Sequence, residues 1–293
     1  TFDKKGKKLP FNYRPTQPLN GRKVTLNLVG TQADDSGDAH WNYEKDGEYG
    51  PTRWGKRYSI CDQYEQSPID FKYSDITLNS SIPEFEFSGY DDTYSGLKIR
   101  NNGHGIIVEF GDEKPSISGG GLDGTYNLLQ FHWHWGSSNE QGSEHAFESL
   151  QYPLELHLVH LKEGYDENDL NAARDEVAVL GIVYKLNGGD SIEEVLNGAI
   201  TKVPSYGDTS DLEDFVPADL LPKDLSTFLR YKGSLTTPPC YQSVIWTVFT
   251  DPVGVHINQL EQLRSLKDEE GNQLTHNWRP VQPLNSRTVT LRK

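Results

Sequence analysis

His132 and His134 stand two residues apart in the run Gln130-Phe131-His132-Trp133-His134-Trp135. In a β-strand successive side chains point to opposite faces, so Gln130, His132 and His134 share one face and the three aromatic residues share the other. Two adjacent imidazoles on a sheet face can hold a metal ion, although histidines also sit in strands as hydrogen-bonded core residues. A second run, Leu154-Glu155-Leu156-His157-Leu158-Val159, sends its leucines one way and Glu155, His157 and Val159 the other. A polar face on so apolar a strand needs partners, because buried unpaired polar groups are costly. Three imidazoles make a Zn²⁺ site with its fourth position open to water, the arrangement of a catalytic rather than a structural zinc. Gln130 and Glu155 each precede a histidine by two residues on the same face, where they would accept the ligands' remaining N–H groups. His160 points to the opposite face and, like His145, reads as structural.

Other short apolar stretches supply the frame. Leu97–Arg100 and Ile107–Phe110 alternate, and Val177–Tyr184 and Val244–Phe249 are apolar enough to lie inside a sheet. Helix signals are few: Glu167–Arg174, Ser191–Asn197 and Asn258–Leu266, the last with leucines at three-residue spacing. The expected fold is mixed α+β and mostly β, with a large central twisted mixed sheet, short peripheral helices and a single domain.

The tail of the chain is duplicated. Residues 9–28 (LPFNYRPTQPLNGRKVTLNL) and 274–293 (LTHNWRPVQPLNSRTVTLRK) align without gaps at 12 identities in 20 positions. Nothing between them recurs, which points to a tandem protein whose preceding unit ends near the start of this chain. Residues 1–36 carry net +4 and the rest −19 of the total −15. Thr31–Gly37 reads as linker, and Val24–Leu28 alternates as a strand that would dock on a sheet edge or on another copy. The expected division is an N-terminal connector over 1–36 and a catalytic domain over 37–293, with a tandem sister domain or self-association through the connector.

The 293 residues include no Met, so the chain is expected to be a mature or excised piece. No signal peptide opens it and no run reaches the ~20 apolar residues of a membrane span. The negative charge argues against nucleic acid as a partner. An acidic surface, dispersed along the chain, fits either ordinary solubility or adaptation to high salt. Cys61 and Cys240 are too far apart in sequence for a zinc knuckle, leaving two thiols or one disulfide. Asn79-Ser80-Ser81 is a glycosylation acceptor pattern.

Taken together, FHWHWG with GSEH, ELHLVH, QSPID, NNGHG, SLTTPP and NWRPVQPL resemble an α-carbonic anhydrase over about residues 40–293. The resemblance implies a zinc enzyme that hydrates carbon dioxide to bicarbonate, with His132, His134 and His157 as ligands. Thr236 is similar to the threonine that accepts a hydrogen bond from metal-bound hydroxide, and Glu144 to the carboxylate behind it. His104 matches the proton shuttle, for which a near-neutral pKa is suited. Tyr43 and Asn102 match residues that order water. Val159, Val179, Leu235 and Trp246 match the apolar wall for carbon dioxide, and Thr237 a contact to bicarbonate. Cys61 and Cys240 match the disulfide of secreted members, which implies a secreted or extracellular location, at the cell surface included. Duplicated anhydrases of salt-tolerant algae are similar in their repeat and acidity. Ile107 departs from the pattern where asparagine often orders water, and Trp133 where phenylalanine is usual. The alternatives are a non-catalytic binding domain of the same fold, which typically lacks a zinc histidine, or an acidic matrix domain that binds calcium or mineral. No calcium loop of EF-hand spacing appears.

Overall fold

The computed structural model describes residues 40–166, 175–186 and 194–293. The connector, the strand expected at Val24–Leu28, the linker, the helix expected at Glu167–Arg174 and the start of the helix expected at Ser191 lie outside the described residues. One twisted sheet organises the rest. Ten strands follow one another across it: Thr209–Leu212, Leu97–Asn101, Ile106–Glu109, Tyr126–Trp135, Leu154–Lys162, Val177–Leu186, Val244–Phe249, Phe228–Gly233, Val289–Arg292 and Ile76–Leu78. Three short strands attach beside this path, making a 13-stranded sheet. It is mixed: Val177–Leu186 runs parallel to Val244–Phe249, and Val289–Arg292 parallel to Ile76–Leu78, while the other neighbours on the path are antiparallel. Two α-helices, α1 (Glu194–Ile200) and α2 (Ile257–Arg264), lie at the periphery. The mostly-β, mixed-sheet, single-domain architecture is thus the one expected.

The central strands are apolar on both faces because both faces are covered. Leu154, Leu156 and Leu158 join Phe131, Trp133 and Trp135 in the larger core layer, which also contains α2's Leu260 and Leu263. Val159, Val179, Leu235, Trp246 and Val248 form a second layer on the opposite face. A small third cluster gathers Trp41, Tyr43, Trp54, Cys61 and Cys240. Cys61 and Cys240 are joined by a disulfide across a sequence separation of 179.

One irregularity matters for register. His132 pairs with His157, and Gln130 with Val159, but Leu128 pairs with His160, so a bulge falls at Leu129. The extra residue inverts the alternation upstream. Leu128 therefore joins Phe131 and Trp133 in the larger layer, while Leu129 turns to the other face with Val159.

Candidate metal centre

His132 and His157 are direct partners across two antiparallel strands, and His134 follows one pleat along. The three rings lie 4.6–5.2 Å apart between centroids. One nitrogen of each ring is held from behind. His132 Nδ1 is 2.8 Å from Gln130 Oε1, His134 Nδ1 is 2.7 Å from the Asn277 carbonyl, and His157 Nε2 is 2.8 Å from Glu155 Oε1. With those nitrogens as N–H donors, the lone pairs of the other three are left to converge. Donor atoms of all three residues lie within 4.8 Å of one another. His134 Nε2 is buried and has no hydrogen-bond partner among the described residues. Burial pushes all three imidazoles to lower pKa, His134 down to about 3, so the rings are neutral, the state that ligates. The cluster is able to hold a metal ion, and its donor set of three imidazoles suits zinc.

Glu155 is fully buried and bridges two histidines. Its Oε1 meets His145 Nδ1 at 2.6 Å and its Oε2 accepts the His145 backbone N–H at 2.8 Å. His145 Nε2 in turn meets the Tyr231 hydroxyl at 2.7 Å, which donates to Ser67 Oγ at 2.8 Å. Burial works to raise the Glu155 pKa, but His145 and His157 overcome it and hold the carboxyl well below its ordinary range. Gly181 faces His157 on the next strand, where an added Cβ would approach Glu155 Oε1 to 3.3 Å. A glycine there leaves the carboxylate room.

Glu144 is buried and accepts the Arg279 backbone N–H on Oε1 at 2.8 Å. Burial pushes its carboxyl pKa well up, and the Thr236 hydroxyl and the Arg279 N–H pull against that by favouring the charged form. Oε2 itself lies outside strict hydrogen-bond geometry, 4.0 Å from His157 Nδ1. Thr236 and Thr237 are both buried in the loop after Phe228–Gly233. That loop is tied by Leu235 N–H to Tyr241 O, Cys240 N–H to Thr237 O, and the disulfide. Val159, Val179 and Trp246 are cross-strand neighbours in one row, and Trp246 packs 4.7 Å from His157. Leu235 lies in the same apolar layer.

His104, Tyr43 and Asn102 line a cavity of about 260 Å³. The His104 ring stacks on Trp41, with centroids 3.8 Å apart and planes 9° off parallel. Burial pushes its pKa down, and nearby His40 adds to that. Asn102 Oδ1 accepts the backbone N–H groups of His104 and Gly105, both at 2.9 Å, so its amide oxygen shapes the loop that presents His104. The Tyr43 hydroxyl is buried with no hydrogen-bond partner among the described residues. Asn79 is exposed, and its Oδ1 accepts from Ser81. Ile107 is buried opposite His132, and Trp133 lies in the layer facing away from the triad.

Two contributors escaped the sequence reading. Asn277 holds His134 through its carbonyl, takes the Trp135 N–H on its side-chain oxygen, and donates to the carbonyls of His104 and Trp133. Arg279 donates its guanidinium to Gln66 Oε1 and to the carbonyls of Ser67 and Cys61. Both fall on identities of the internal repeat, at Asn12 and Arg14 in the first copy. The repeat was the signal that could have found them.

The family model of eukaryotic-type carbonic anhydrases matches residues 49–293. The chain is 36% identical over 252 residues to "Putative carbonic anhydrase 3" of Caenorhabditis elegans, covering 85% of this chain and 96% of that relative. It is 34% identical over 273 residues to "Putative carbonic anhydrase 5" of the same organism, covering 90% of this chain and 86% of the relative.

Proposed function

Because the chain belongs to the eukaryotic-type carbonic anhydrase family, we propose that it catalyses the reversible hydration of carbon dioxide to bicarbonate and a proton. The observation that carries this reading is the triad: three neutral imidazoles, each fixed from behind, with free nitrogens that converge. His132, His134 and His157 would hold zinc with one coordination position open. Bound there, the ion supplies the Lewis acidity that brings the pKa of water near neutral.

The chain's own groups do the rest. Val159, Val179, Leu235 and Trp246 offer carbon dioxide an apolar wall beside the triad. A Thr236 hydroxyl that donates to Glu144 has only lone pairs left for the cavity, so it accepts an O–H and aims the attacking oxygen. Thr237 contacts the bicarbonate product. His104 takes the proton outward, with Tyr43 in the position of a residue that orders water and Asn102 holding the loop. Burial and nearby His40 favour the neutral ring, so His104 gives up a proton readily and takes one up less readily.

Two outcomes test these roles. Thr236→Ala should lower hydration by roughly 10²-fold, as loss of one oriented partner does elsewhere, with zinc content unchanged in the same preparation. Full activity in this variant would remove Thr236 from the mechanism. His104→Ala should slow turnover at low buffer by ~10²-fold, the lower end for a lost proton-transfer group, and imidazole buffer should restore it. Undiminished low-buffer turnover would reject the shuttle.

The disulfide supports a secreted or extracellular location. No helix among the described residues is long and apolar enough to cross a membrane. The 12-in-20 repeat supports a tandem sister domain, and the −15 charge fits ordinary solubility as well as a salt-adapted surface. A non-catalytic or matrix role is the alternative reading; the complete triad favours catalysis.

A further inference from the structure

The structure gathers a second set of metal-ligating groups away from the histidine triad, at the mouth of the cavity that holds His104. Donor atoms of His40, Glu269 and Glu270 all lie within 4.8 Å of one another. His40 Nε2 stands 3.8 Å from Glu270 Oε1, too long for a hydrogen bond. It is close to the ~3.4 Å that two ligands at ~2.1 Å from one tetrahedral ion keep between them. An edge-on contact with Tyr49, centroids 4.9 Å apart, fixes the His40 ring from the side.

The surroundings favour a cation as well. Four carboxylate residues, Glu44, Asp268, Glu269 and Glu270, line this cavity, and no Lys or Arg does. Among the described residues the only ion pair recorded within the set is His40 with Glu270. His40 and Glu270 are partly open to solvent, so an ion can reach them without the protein opening.

We propose that His40, Glu269 and Glu270 form a second, peripheral site for a divalent transition ion of the zinc or copper(II) type. The imidazole selects this class over calcium or magnesium, which take oxygen ligands. The site stands independently of the catalytic reading, since none of its three residues belongs to the triad or to the groups assigned roles in hydration.

The test uses the chain already carrying one zinc per molecule, dialysed against rising Zn²⁺ with metal counted at each step. A second equivalent should bind to the unaltered protein. His40→Ala and Glu270→Gln should each weaken that equivalent by at least the ~10–100-fold that even supporting groups of a metal site contribute. The first equivalent and the circular dichroism spectrum should stay as they were, which separates loss of the site from loss of the fold. Absence of a second equivalent, or one that survives both substitutions, would overturn the proposal. Displacement by calcium at comparable concentration would overturn the assigned ligand class.

Discussion

His157→Ala is expected to remove the metal and the hydration activity together. His157 is one of three donors, and its ring is held in place by Glu155. Deleting it leaves two imidazoles and strips the buried Glu155 carboxylate of one partner. Changes in the groups behind a ligand already cost ~10–100-fold in metal affinity, and loss of the ligand itself must exceed that. Loss of the ion removes the Lewis acid that brings the pKa of water near neutral, so turnover should fall by several orders of magnitude. His160 gives the contrast. It is buried in the same strand but bonds Tyr90 across the other layer, Nε2 to hydroxyl at 2.6 Å. Replacing it should cost stability, about 1–3 kcal/mol for a buried polar group left unmatched, and leave zinc content at one per chain. Zinc stoichiometry and stopped-flow hydration on both variants decide the matter. A His157→Ala protein that keeps zinc and activity would sink the ligand assignment.

The second large effect concerns stability. The Cys61–Cys240 bond closes a loop of 179 residues in sequence separation. In the chain-entropy model such a closure contributes about 5 kcal/mol through the unfolded state. Replacing both cysteines by serine should therefore lower the melting temperature by roughly 10–20 °C, at ~2–4 °C per kcal/mol for a domain of this size. The bond also anchors the loop of Thr236 and Thr237, so activity should decline before the melting transition begins. An unchanged melting temperature would mean that the loop is closed as firmly by other contacts, foremost the Arg279 hydrogen bonds to Cys61 and Ser67.

Period-two alternation carries much of the site because the metal-facing residues lie on strands. It places Gln130, His132 and His134 on one face and Glu155 and His157 on another, and cross-strand pairing then brings the two faces into one. It fails at Leu129, where one inserted residue leaves no mark in residue type. Asn277 escaped for a different reason. What holds His134 is a backbone carbonyl 143 residues away in sequence, and every residue has one. His145 was legible only as a buried histidine, because its partners Tyr231 and Ser67 come from distant segments. The lowered pKa of His104 comes from its burial and from nearby His40, packing details that residue spacing does not encode.

The strand Val289–Arg292 lies between Phe228–Gly233 and Ile76–Leu78, and Asn277 comes just before it. During synthesis on the ribosome, His132, His134 and His157 emerge long before these two pieces. At ~5–20 residues per second the intervening stretch takes on the order of ten seconds to appear. Throughout that interval the nascent chain has its three imidazoles but neither the carbonyl that orients His134 nor the strand that joins Ile76–Leu78 to the rest of the sheet. The partner that orients His134 is thus made well after the triad itself.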